Sequence, residues 1–342
     1  MNKTLLMAAA AAAVSFSAMA NATDPSNPSG TVVDRFADVE VLRYTVPGFN
    51  ELSLDQKKFI YYLTEAALAG RDILWDQNGK YNLKLRILLE GIYRNYAGSR
   101  TDKDFQAFEK YLKQVEFGNG AYHHYSTDKF VPEFSGNWFV AQVHDLEKKE
   151  PAVLEQVGDD YEMVKRLIFD PSFLPKRVNQ AEGADLILTS ANNFYEGVTQ
   201  KEVEDYFAAL KNPADPTPVS YGLNTKVVKV DGKVVELPYK VGGLYSPAIE
   251  RIVENLEKAL PYAETPQQAA SIEELINYYR TGDLRAFDRY SILWTEDTTP
   301  TVDFVNGFIE SYGDPLGMTG SWESIVNYKN HDASRRTEVI SN

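Results

Sequence analysis

The sequence predicts an α+β fold dominated by helix, and three observations carry that reading. Apolar residues recur at helical spacing in several long segments in both halves of the chain. A β-branched stretch, TKVVKVDGKVVELPYKV, folds back about Asp231-Gly232, a pair strongly associated with two-residue hairpin turns. A second β-rich run, PTVDFVNGFIESYGDPLG, closes at Gly313-Asp314-Pro315.

In chain order, the first residues carry one positive charge at Lys3, an apolar stretch from Leu5 to Phe16 and the small-residue pattern Ala18-Met19-Ala20. That is the pattern of a signal peptide cut after Ala20, and the apolar stretch is shorter than the ~20 residues that span a bilayer. The mature chain is therefore expected to be exported, periplasmic or secreted, with no membrane attachment after cleavage. Residues 21–40 are polar and proline-containing and read as a spacer. Ser53 is a helix cap for the next segment, which places Phe59, Leu63, Ala66 and Ala67 at helical spacing. Further helices are predicted around NLKLRILLEGIYRNY and KDFQAFEKYLKQVEF. After the hairpin, helical period returns in YSPAIERIVENLEKALPYAE, with Pro247 in the first turn, and in PQQAASIEELINYYRTGDLRAFDRYSILW.

Composition narrows the function. With 44% hydrophobic and 12% aromatic residues the chain is globular, not disordered. A formal net charge of −14 argues against nucleic acid, whose recognition needs Lys and Arg to displace counterions. The absence of cysteine excludes disulfides, thiolate metal sites and cysteine nucleophiles. The four histidines, His123, His124, His144 and His331, never take the i, i+4 spacing of an H-E-x-x-H zinc helix. No nucleophile elbow or phosphate-cradling glycine loop is present.

The segment from Gly307 to Pro315 is more specific. A strand period sends Glu310 and Tyr312 to one face, about two residue rises of ~3.3 Å apart, which is roughly the length of a dipeptide. A carboxylate there can take the ammonium of an extended peptide, and a phenol two residues on can donate to a carbonyl oxygen that gains negative charge during hydrolysis. Spacing alone equally describes a half-exposed strand whose Glu and Tyr face solvent.

GFIESYGDPLG resembles the strand and turn of zinc exopeptidases of the dipeptidyl peptidase III family. TDKFVPEF, NNFYEGVTQKEVEDYF, YSPAIERIVENLEKALPYA and YYRTGDLRAFDRYSILW are similar to segments of that family in the same order, and YYLTEAALAGRDILWDQNGKYN and SWESIVNY resemble its bacterial members. The resemblance implies a two-lobed peptidase. Residues 41–342 would form the non-zinc, substrate-binding lobe, mainly helical with a small β-barrel or sheet core, incomplete at its C-terminus. It implies Glu310 as holder of the substrate's amino terminus, Tyr312 as oxyanion support and Tyr125 as an aromatic near the first substrate residues. The family's H-E-x-x-G-H motif does not occur in the chain. Zinc is thus the cofactor implied for the full-length family enzyme, none is expected to be bound by this chain, and the chain alone is expected to be inactive. The implied partners are short peptides with a free amino terminus. The competing expectations are a non-catalytic peptide-binding protein and a truncated remnant.

Overall fold

The structure, a computed structural model, describes residues 30–341. The expected signal peptide and its cleavage point after Ala20 lie outside the described residues. Chain contacts divide the protein after Val46.

The first unit contains an antiparallel hairpin of β1 (Val32–Phe36) and β2 (Val39–Leu42), within and just beyond the stretch expected to be a spacer. Alternating valines suit a pleated ribbon, Ala37 at φ 48° makes the turn, and Arg35 Nε donates to Glu40 Oε1 at 2.7 Å.

The second unit runs from Pro47 and is built around three apolar clusters. Its first helix, α1 (Leu54–Ala69), starts where expected: the Ser53 hydroxyl accepts from Gln56 N, and the Gln56 side chain accepts from Ser53 N. This reciprocal box satisfies two donors that a helix start leaves orphaned. Phe59, Leu63 and Ala66 are buried, the aromatic and leucine each contributing about 1.5–3 kcal/mol of apolar burial. Gly70 separates α1 from α2 (Arg71–Asn78).

Helices α3 (Asn82–Asn95), α4 (Lys103–Gly118), α5 (Gly136–Lys149), α6 (Pro151–Val157) and α7 (Tyr161–Phe169) surround one core, with Leu88, Phe105, Phe108, Phe134 and Phe139 at its centre. Strand β3 (Tyr195–Glu196) pairs parallel with β4 (Thr225–Val230), which pairs antiparallel with β5 (Lys233–Pro238). Asp231 and Gly232 take φ 50° and 76°, the left-handed conformation that two-residue hairpin turns require, so the predicted hairpin is present. Between β3 and β4 lies α8 (Gln200–Leu210), which packs Val203 and Phe207 into a small second core.

The third cluster joins α1 to α9 (Ser246–Ala259), α10 (Pro266–Thr281), α11 (Leu284–Glu296) and the antiparallel pair β6 (Val302–Glu310) and β7 (Ser321–Tyr328). The run read as one stretch of helical period breaks at Gly282, and Asp283 caps the new helix by accepting from Arg285 N at 2.9 Å. The polar end of the chain forms α12 (His331–Ser341), which buries no residue.

The helix-dominated mixed class is as expected, and the small barrel is not seen. Among the described residues the strands form separate sheets of two, three and two strands. A closed barrel needs every strand paired on both sides, whereas β6 and β7 have only each other.

Candidate functional site

Strand β6 runs through the core and surfaces at its end. Val302, Phe304 and Phe308 are buried, and register shifts between Phe308 and Glu310, so Ile309 forms a bulge and Glu310 faces Ser321 of β7. A bulge adds one residue to one strand and re-aims the side chains beyond it, and here it leaves the Glu310 side chain exposed. Beside it stands Glu323 of β7, whose carboxyl is raised by partial burial and then by the Glu310 charge. Two carboxylates at one strand end make a negative patch, the electrostatics an ammonium group favours. Glu323 was missed from sequence, since its closeness to Glu310 depends on β6–β7 pairing across a ten-residue connection.

The expectation that a strand period carries Glu310 and Tyr312 to one face does not hold as stated. Strand β6 ends at Glu310, and the chain then turns, with Asp314 N donating to Ser311 O at 3.0 Å. Tyr312 occupies this turn and is 75% exposed. Beneath it the turn is rigidly built. Asp314, 1% exposed, accepts from the Tyr195 hydroxyl at 2.6 Å and from the backbone of Leu316, Met318 and Thr319 at 2.9, 3.0 and 2.7 Å. Burial pushes its carboxyl above the usual range, and these hydrogen bonds oppose the shift.

Tyr125 lies on a different loop and is 85% exposed. The His123 imidazole shapes that loop, Nδ1 accepting from Tyr125 N at 3.2 Å and Ser126 N at 3.1 Å. Arg177 braces the Tyr125 loop and lies near the Tyr312 turn. Its backbone N donates to Thr127 O at 2.8 Å, and its guanidinium donates to Asn78 Oδ1 at 2.6 Å and His124 O at 3.3 Å. Burial lowers the Arg177 guanidinium, and the Tyr312 and Tyr122 phenols oppose that shift, so Tyr312 lies within electrostatic range of it. The neighbouring Asn192, whose N donates to Arg177 O at 3.2 Å, donates through Nδ2 to Gly313 O at 3.1 Å. Arg177 and Asn192 also escaped the sequence reading, because isolated polar residues in loops carry no periodic signal.

The residues present do not fit a zinc ion. Among the described residues no three His, Asp or Glu side chains converge to hold a metal. The His123 and His124 rings pack on one another at 4.4 Å, while His144 sits on α5 near Glu147 at 3.8 Å. Also among the described residues, no helix is long and apolar enough to cross a membrane.

Residues 198–342, which include the Glu310 strand and the Tyr312 turn, match the profile of peptidase family M49. The match places this part of the chain alongside a peptidase family. The chain is 24% identical to dipeptidyl peptidase 3 of Rattus norvegicus over 344 residues and 26% identical to that of Homo sapiens over 328, each match covering 85% of this chain and 44% of the relative. The solved dipeptidyl-peptidase III of Corallococcus sp. strain EGB shares its fold with a TM-score of 0.57 at 16% identity, over 90% of this chain and 44% of that one. The chain is thus similar to peptidase family M49 over residues 198–342 and to dipeptidyl peptidases III over most of its length, and it spans under half the length of these relatives.

Proposed function

We propose that the chain supplies the substrate-binding portion of an exported, zinc-dependent dipeptidyl peptidase that releases dipeptides from the free amino terminus of short peptides. The observation that carries this reading is the exposed Glu310 at the end of a buried strand, inside the family-matched region and succeeded by a turn held on the buried Asp314. Glu310, backed by Glu323, accepts the substrate's ammonium before reaction. Tyr312 donates its phenolic proton to the carbonyl oxygen where negative charge develops, and Tyr125 offers an apolar wall to the first residues. The zinc chemistry belongs to residues other than those described.

The test is hydrolysis of a dipeptidyl arylamide by the product of the whole gene loaded with zinc. Glu310→Gln should mainly raise KM, since it removes a contact made in the ground state. Tyr312→Phe should mainly lower kcat, by about 10²-fold for the loss of one oxyanion donor. Variants that both stay within about twofold of the parent would remove this strand and turn from the site.

A further inference from the structure

Gln77, the penultimate residue of α2, has its side chain fully buried at 0% exposure. Nε2 donates to Gly320 O at 3.1 Å, and Oε1 accepts from Trp322 N at 2.8 Å. The amide thus meets a carbonyl and the N–H two residues on, as the peptide group of an adjacent strand would. The bracketed residue is Ser321, the cross-strand partner of Glu310 at the bulge. On the near side Gly320 N donates to Leu223 O at 2.7 Å, and a Cβ at position 320 would lie 2.7 Å from Phe308 C. The start of β7 is therefore pressed against β6 with no room for a side chain, and Gln77 holds it in register from the helix. Gln77 is itself held: its carbonyl accepts from Asn193 N at 2.9 Å, while Asp76 accepts from Tyr245 and Asn193 and Asn78 accepts from Arg177.

We propose that Gln77 is a positioning residue for amino-terminal recognition: by clamping Ser321 it fixes the bulge that turns the Glu310 carboxylate outward. This rests on the reading of Glu310 as the ammonium acceptor. A peptide's ammonium is a point charge whose bond to a carboxylate is strong only in good geometry, so displacing the bulge should cost discrimination between a free and a blocked amino terminus. Affinity for the rest of the peptide should be spared.

The experiment titrates tetraalanine and N-acetyl-tetraalanine into the 342-residue chain and compares their affinities. The parent should prefer the free amino form by about tenfold or more, as one charge-assisted hydrogen bond provides, and Glu310→Gln should abolish that preference. Gln77→Met, which removes both bonds, should reduce it to below about threefold with little change for the acetylated peptide. Gln77→Glu keeps the shape and the acceptor for Trp322 N, donates to Gly320 O only when protonated, and, titrated at a pH where that carboxyl is ionised, should fall between. Ile73→Ala, on the same helix, loosens the core without touching the clamp and should retain the full preference. Should the parent show no preference, the reading of Glu310 fails and the inference falls with it. Full preference in Gln77→Met, or in Gln77→Glu if the methionine variant does not fold, overturns the inference and leaves Glu310 standing. An equal loss in Ile73→Ala also overturns it, by reducing the effect to general loosening.

Discussion

Asp314 shows how one side chain can organise a turn. A buried carboxylate is costly unless its lone pairs are taken up, and four donors converge on this one. Asp314→Asn keeps the volume but points an amide N–H at one of those donors. It should cost about 2–4 kcal/mol, the range for a buried charged group left with unmatched partners, visible as a lower urea midpoint at pH 7. At this scale the sequence was partly legible. Glu310 and Tyr312 stood out because a carboxylate and a phenol two apart suggest a chemistry, and both prove exposed. Gln77, Arg177 and Glu323 were invisible, since each acts through a partner brought near only by the complete fold.

Helices with clear period and caps were the most legible elements. Ser53 begins α1 as its spacing indicates, and Asp231-Gly232 turns the β4–β5 hairpin. The β6–β7 pair was half legible, because β7 alternates too weakly for its sequence to reveal a strand before its partner is known. Two elements carry direct tests. Helix α8 opens on Thr199, whose hydroxyl accepts from Glu202 N at 3.3 Å while the Glu202 carboxylate accepts from Thr199 N at 2.9 Å. Thr199→Ala should lower stability by about 1 kcal/mol, measured by chemical denaturation. At the α1–α2 junction, a Cβ on Gly70 would sit 2.1 Å from Trp322 Cζ2. Gly70→Ala must push the buried indole aside and should cost about 1–3 kcal/mol, read as a lower thermal midpoint.

Across the whole molecule, charge pairing sets the response to acid. Glu196 bridges Lys226 and Lys80, each at 2.7 Å, and the hydrogen bonds from these lysines hold its carboxyl down at about 2 instead of 4.5. A carboxylate whose folded value is depressed stabilises the fold above the unfolded value, and that stabilisation disappears as pH falls through the folded one. Glu196→Gln should therefore be less stable than the parent at pH 7. The gap should narrow below pH 4.5 and close near pH 2, as urea melts across that window will show. Asp314 and Glu323 act in the opposite sense, since their raised carboxyls favour the fold as they become protonated. The domain-level class was legible from patterning, whereas the separation into small open sheets was not, because strand pairing is a property of distant segments.

The clamp between α2 and β7 also orders events in time. Gln77 and Gly320 are 243 residues apart, so their contact forms only after a very long loop closes, at an entropic cost that nearby contacts do not bear. During synthesis the helix emerges long before its strand, and its buried amide must wait in water. A contact that closes after the folding barrier changes the unfolding rate on its loss and leaves the folding rate almost unchanged.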